Sequence, residues 1–398
     1  MEQLQILFFT VSGFLVSRIL IKTRLPQKIV HLMLGERHNT LSKTLFYLVT
    51  TSAVISIFIP NAITVLTLLP VLELLSRAFR DNGNHRLPTI LTLAVIYGSN
   101  IGGMGSVTGT PSNLVLIGYL KANNVAGVDQ LTYIHWLIAG IPLVIILVFV
   151  AWGVLCLGFQ TWRENSAQIR MPFAPEATEH VWQRRAVYLT LVYLLSSCVL
   201  SYLMTELPDC RNGITIASGV VTVGFAVYLF SPRPQTLSAM LVLRDLVSGL
   251  PTRGLELLVI VIVVGAGMYV LNIETWLSGK LVMLIPDALP LLGLLLIIAL
   301  ITTFTTEIFS NTVVQLSLFL ILLPLSKTSG YDPVKMLLVV TLSCTCAFMS
   351  PIATPVNALA FGGSSGRSLW RWVVVGALMN TVTACVIAYY IFKICCTL

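Results

Sequence analysis

Four short polar stretches stand out in this chain because each one interrupts an apolar run. Two of them, Ile59-Pro60-Asn61-Ala62 and Phe309-Ser310-Asn311-Thr312, fall in the middle of the apolar stretches 44–76 and 288–325. The other two are the Gly-, Ser- and Thr-rich run from Gly98 to Asn113 and the segment from Ala347 to Asn357, set inside the apolar runs 91–118 and 335–362. Pro and Gly in such places break a helix and release backbone carbonyls and amides. Freed carbonyls suit a small hard cation such as Na⁺, and the N-terminus of a half-helix suits an anion. Ser310, Asn311 and Thr312 add neutral donors and acceptors. The chemistry is that of holding an anionic solute beside small cations. The sequence has no P-loop, HExxH or GxSxG motif, and its five histidines are scattered, so ATP-driven pumping, intramembrane hydrolysis and a metal cluster lack support. No enzyme chemistry is expected.

The elements that must position these groups follow from composition. Of 398 residues, 56% are hydrophobic and only 10% charged, against about 25% charged in soluble chains. The mean hydropathy is +0.90. Charge this sparse cannot coat a soluble surface, which sets aside soluble enzymes, nucleic-acid binders and disordered scaffolds. The reading is an all-α polytopic protein whose partner is the lipid bilayer. A spanning helix needs about 20 apolar residues, and 4–21, 91–118, 133–159, 186–204, 212–230, 255–272, 335–362 and 372–394 qualify. The stretches 44–76 and 288–325 are too long for one span and read as re-entrant helical hairpins, tolerated at membrane depth only where protein or water surrounds the backbone. Eight cysteines, mostly in apolar runs, read as small buried hydrophobes. No cleavable leader is evident.

Charge in the connections tests the layout. With both hairpins returning to their side of origin, segments 22–43, 77–87, 160–185, 231–253 and 363–371 hold 17 Lys and Arg, and the opposite set holds 6. The richer set is expected in the cytoplasm, which explains the net charge of +8 without nucleic acid. Hairpin 44–76 then lies on the cytoplasmic side and hairpin 288–325 on the other. Landmarks also recur. Thr23-Arg24-Leu25 resembles Thr275-Trp276-Leu277 at an offset of 252, Asn61 matches Asn311 at 250, and Thr110-Pro111-Ser112-Asn113 matches Thr354-Pro355-Val356-Asn357 at 244. An inverted repeat is expected, with a first copy at 1–159, a cytoplasmic linker at 160–185 and a second copy at 186–398. The second copy has two spans before its first landmark and the first has none, so the first repeat reads as N-terminally incomplete.

At these motifs the sequence resembles the divalent anion/sodium symporter family, carriers of dicarboxylates, citrate or sulfate within the ion transporter superfamily. Thr306-Glu307-Ile308-Phe309-Ser310-Asn311-Thr312 looks like the family's Ser-Asn-Thr hairpin tip. Ala347 to Asn357 looks like its broken-helix motif, and Gly102 to Asn113 like the first-repeat counterpart. The resemblance implies a substrate cradle of Asn61, Thr110, Pro111, Ser310, Asn311, Thr312, Thr354 and Pro355. It implies one Na⁺ site at Ser56, Asn61 and the Gly109 carbonyl, and another at Thr306, Asn311 and the Ala353 carbonyl. It also implies a homodimer working by an elevator-like motion in the cytoplasmic membrane. The first tip departs from the family pattern, reading Pro60-Asn61-Ala62 and losing two hydroxyls. A cation/proton antiporter or oxyanion exporter of the same superfamily, and a transport-dead chain, remain as alternatives. Glu307 is a functional candidate as an intramembrane carboxylate, although the resemblance favours a structural bond to the hairpin backbone. Glu73, Glu256 and Arg18 lie near span ends, where snorkelling is expected.

Overall fold

The computed structural model describes residues 2–23, 40–80, 87–128 except 108, 133–163, 180–232, 239–247, 289–362 and 369–394, with a few isolated positions between them. The expected span 255–272 and the landmark at Thr275 lie outside this set, apart from isolated positions. All regular structure among the described residues is helical. That is what a hydrocarbon solvent demands, because a helix satisfies its own backbone groups.

The first half contains α1 (Glu2–Lys22), α2 (Leu41–Phe58), α3 (Asn61–Arg80), α4 (Leu87–Gly102), α5 (Pro111–Ala122) and α6 (Tyr133–Phe159). There follow α7 (His180–Glu206), α8 (Arg211–Phe230) and the short α9 (Leu243–Val247). The second half contains α10 (Leu291–Thr305), α11 (Asn311–Ser329), α12 (Pro333–Ser343), α13 (Pro355–Gly362) and α14 (Leu369–Ile394). Among the described residues, four helices are long and apolar enough to cross a membrane: α6, α7, α8 and α14. At 1.5 Å per residue, a helix like α6 runs about 40 Å, more than a hydrocarbon core of about 30 Å requires. The apolar helical lengths beside the polar stretches, such as Leu41–Ile57, Asn61–Glu73 and Leu291–Thr305, are shorter.

Each break has a local cause. Pro60 has no N–H and disfavours helical geometry at Ile59, which is extended at φ −116°, ψ 133°. The chain restarts at once, with Ile63 and Thr64 N–H donating to the Pro60 carbonyl. Pro111 and Pro355 each open a helix as its first residue, where a missing N–H costs nothing. Thr110 precedes the first in extended geometry at φ −146°, ψ 146°. Asp332 starts α12 by accepting from Val334 and Lys335 N–H at 2.9 and 3.4 Å.

Packing forms two like trios, α2–α4–α6 and α10–α12–α14, sharing one core. All sixteen residues of α4 are buried. A methyl at Gly98 would meet the Ser52 hydroxyl and one at Gly102 the Ala53 carbonyl, so both glycines serve the close approach of α4 to α2. The trios meet where α6 packs on α14, α5 on α11 and α12, and α13 on α3 and α4. A further layer of α1, α7 and α8 has two smaller apolar clusters, one of them shared with Ile59 and Ile63 at the first tip, where α1 packs on α3. Its outer faces show Tyr188, Leu191, Leu195, Ile216, Val220 and Val223 at more than half exposure, a surface made for lipid rather than water. Arg18 departs from expectation: it is 2% exposed and lies 4.8 Å over the Phe14 ring, buried between helices instead of snorkelling.

Candidate functional site

The four breaks bring their polar groups together within each half. In the first half, the Ser56 hydroxyl donates to Asn61 Oδ1 at 2.9 Å, and Asn61 Nδ2 donates to Asn100 Oδ1 at 3.3 Å. A side chain at Gly103 would collide with the Asn61 amide, and one at Gly109 with the Gly103 backbone. Only glycine lets the unwound segment lie this close to the tip. Gly109 therefore sits one backbone layer from Asn61, next to the pair it is expected to complete. Asn113, one turn into α5, ties the segment down through Nδ2 bonds to the carbonyls of Gly103 at 2.9 Å and Ser106 at 2.7 Å. Ser106 in turn donates to the Ile57 carbonyl.

The second half repeats this arrangement. Thr306 Oγ1 lies 2.6 Å from Asn311 Oδ1 and 3.1 Å from the Cys344 carbonyl. One hydroxyl hydrogen cannot serve two acceptors fully, so oxygens outnumber hydrogens here, as a cation prefers. Asn357 Nδ2 reaches the carbonyls of Ala347 at 2.8 Å and Ser350 at 2.7 Å. Those are the Asn113 bonds moved by 244 residues, and Thr306–Asn311 is Ser56–Asn61 moved by 250. Thr354 caps α13, accepting from Asn357 N–H at 3.2 Å and donating to Asn357 Oδ1 at 3.1 Å. Ala353 stays in its own turn, its N–H donating to the Ser350 carbonyl at 3.4 Å.

The tips differ in exposure. Ser310 and Thr312 are exposed and Asn311 is partly so, with Ser310 capping α11 without a side-chain bond. Asn61 is buried at 9%, and Ala62 packs against the apolar core. Of the expected cradle, Thr110 and Thr354 are buried, whereas Pro111 and Pro355 are exposed at the first turns of α5 and α13. The α5 and α11 first turns are joined directly, since Gln315 Nε2 donates to the Ser112 carbonyl at 2.8 Å and to Thr341 Oγ1 at 3.0 Å. The Tyr97 ring packs against Phe348, tilted by 59° with centroids 4.8 Å apart, linking the first half to the second unwound segment. A cavity of about 160 Å³ between α6, α12 and α14, lined by Met104, His135, Trp136 and Tyr390, includes none of the tip residues.

Several participants are absent from the expected set: Asn100, Gln315, Asn113, Asn357 and Asn380. Asn113 and Asn357 served in the sequence only as landmarks. Asn380 carries one usable signal, a single amide in an otherwise apolar helix, whereas Asn100 lies inside the polar run from Gly98 and Gln315 shares α11 with Asn311.

The long apolar helices, with others unwound at matching places, mark an integral membrane protein. Residues 2–395 match the family described as the sodium:sulfate symporter transmembrane region, and the chain belongs to that family. It is 24% identical over 403 residues to the sodium-dependent dicarboxylate transporter SdcS of Staphylococcus saprophyticus, covering 97% of this chain and 76% of that one. It is 28% identical over 361 residues to sodium-dependent high-affinity dicarboxylate transporter 3 of Caenorhabditis elegans, covering 79% and 61%. An uncharacterized transporter of Haemophilus influenzae is 25% identical over 390 residues, covering 96% and 79%.

Proposed function

We propose that the chain is a secondary transporter of a small divalent anion (a dicarboxylate, citrate or sulfate), driven by Na⁺ across the cytoplasmic membrane. The observation that carries this reading is the pair of oxygen-only clusters, Ser56–Asn61 and Thr306–Asn311 with the Cys344 carbonyl, each at the start of a helix. Neutral oxygens at such spacing are donors for a hard monovalent cation. The adjoining N-termini of α5 and α11 offer partial positive charge to an anion, and the exposed Ser310 and Thr312 hydroxyls are placed to bind its oxygens. The names of the two sodium-dependent relatives support the same cation and substrate class. Gly109 and Ala353 contribute carbonyls to the two Na⁺ sites in this reading, and Asn61, Thr110, Thr354, Pro111 and Pro355 frame the anion. The recurring hydrogen bonds support two repeats, and the Lys and Arg count of the connections supports their inverted orientation, with α2–α3 and α10–α11 as re-entrant hairpins. A homodimer moving its site by an elevator step completes the reading.

The test is uptake of labelled succinate, citrate and sulfate into proteoliposomes, with and without an inward Na⁺ gradient. Uptake of one of them is expected to rise with Na⁺ and to vanish in Asn311→Ala, which removes the only side-chain amide of the second tip. Uptake in that variant equal to the parent protein would move the site elsewhere.

A further inference from the structure

One buried ionisable group with several hydrogen bonds, Glu307, has no place yet in the scheme. It is 3% exposed and directly follows Thr306, at the end of α10. Its Oε1 accepts from Met349 N–H at 2.7 Å and from Asn380 Nδ2 at 2.7 Å, and its Oε2 accepts from Ser350 N–H at 2.6 Å. Asn380, midway along α14, uses its other end to accept from Phe348 N–H at 3.2 Å. Three successive amides of the second unwound segment are thus held by one carboxylate and one carboxamide.

The first half solves the same problem with opposite polarity. The positions 250 before Glu307 and 244 before Asn380 are Ile57 and Trp136. Trp136 Nε1 donates to the Met104 carbonyl at 2.9 Å, and Met104 is the residue 244 before Phe348. One unwound segment is therefore gripped by a donor on a carbonyl and the other by acceptors on amides. Across a trans peptide the N–H and the preceding carbonyl point opposite ways. Turning the amides of 348–350 toward Glu307 and Asn380 turns their partner carbonyls away, and the Ala347 carbonyl accordingly faces Asn357.

We propose that Glu307, braced by Asn380, is a positioning residue that fixes the second unwound segment in the shape its cation site needs. Thr306 and Glu307 act as a pair: the hydroxyl grips a carbonyl before the turn, and the carboxylate grips the amides after it. This rests on the Na⁺-coupled reading above. In this role the carboxylate touches neither ion nor substrate; it holds the backbone that does. Together with Asn380 it occupies the amides of 348–350, so the transported anion has to be met by side-chain hydroxyls and helix N-termini.

The experiment measures melting temperature in detergent against NaCl, with choline chloride keeping ionic strength constant, alongside the Na⁺ dependence of uptake. In the parent protein Na⁺ is expected to raise Tm with a defined half-saturation. Glu307→Gln sets an amide N–H₂ against a backbone N–H, and half-saturation should rise by about tenfold, the scale of one lost charge-assisted hydrogen bond. Asn380→Ala removes one of the carboxylate's three donors and should give a smaller shift in the same direction, so the inference stands or falls even if Glu307→Gln does not fold. The double variant Glu307→Gln with Asn380→Asp moves the carboxylate across the pair, where it accepts from Phe348 and from the new amide. It should recover most of the lost Na⁺ response. Variants with a lower Tm in choline but an unchanged Na⁺ half-saturation would reduce Glu307 to a structural support and overturn the inference. A parent protein whose Tm and uptake both ignore Na⁺ overturns the Na⁺ coupling, and the positioning role with it.

Discussion

Asn357 shows what one side chain does for a broken helix. It takes two carbonyls that unwinding leaves without helical partners, those of Ala347 and Ser350, and it orders the Thr354 cap as well. Asn357 is fully buried, so no water replaces those bonds. Asn357→Ala should cost about 3 kcal/mol, at roughly 1–3 kcal/mol for each buried acceptor left unpaired. A Tm in detergent within a degree of the parent's would show that the segment holds its shape without the staple. The opposite case is Asp245 at the protein surface. Partial burial raises its pKa, but the Lys22 ammonium 2.6 Å away, the Val242 N–H and Arg244 outweigh that and hold the carboxyl below its ordinary value. A pKa lowered by folding stabilises the fold above the unfolded-state value of about 4, and the effect fades as pH falls through the lower folded value. Both partners are partly exposed, so Asp245→Asn should cost no more than about 1 kcal/mol at pH 7. The difference in Tm from the parent should close under strong acid, and a gap that widens on acidification would contradict the assignment.

Helix against helix, the decisive feature is the fit of α4 on α2. Gly102 lies against the Ala53 backbone, so Gly102→Ala forces the helices apart and should cost about 1–3 kcal/mol, the usual range for overpacking. Gly153 in α6 has nothing within 4 Å of where a methyl would go. Gly153→Ala should be neutral or gain up to about 1 kcal/mol of helix propensity. Equal Tm values for the two variants would mean the α2–α4 contact is looser than it is drawn. Much at this scale is legible in the sequence. The run 133–159 coincides with α6, 212–230 begins one residue inside α8, and both Thr-Pro pairs mark helix starts, because proline and apolar length act locally. The pairs Ser56–Asn61 and Thr306–Asn311 were named together by the family resemblance, and the structure joins each by a hydrogen bond across five residues. Glu307 with Asn380, Gln315 with Ser112, and Asn61 with Asn100 were not. These partners are 73, 203 and 39 residues apart, and only packing decides which buried amide meets which break.

For the whole molecule, the arrangement of the two trios carries a consequence for orientation. If the halves are inverted copies, the tips of α2–α3 and α10–α11 enter from opposite membrane faces, and each connection has a fixed side. On the charge count, 160–185 is expected in the cytoplasm and 205–211 outside. Both carry a usable probe position. Cys210 is an exposed thiol in the short turn between α7 and α8, and Trp162 is 53% exposed just after α6. The remaining described cysteines lie within helices or in the second unwound segment, and Cys344 and Cys346 are buried, which favours Cys210 as the labelled thiol. In intact cells a membrane-impermeant maleimide should label Cys210 in a protein carrying Cys395→Ser and Cys396→Ser, which removes the two thiols that follow α14. With Cys210→Ser added to that background, Trp162→Cys should label only after permeabilisation. The two positions flank α7, so their opposite behaviour would establish that α7 crosses the bilayer and in which direction. Labelling of both from outside would return α7 to the face it started from, and the opposed tips would then share one side. A site alternately open to the two faces needs them apart, which makes this pair of labels the test of transport geometry that requires no substrate.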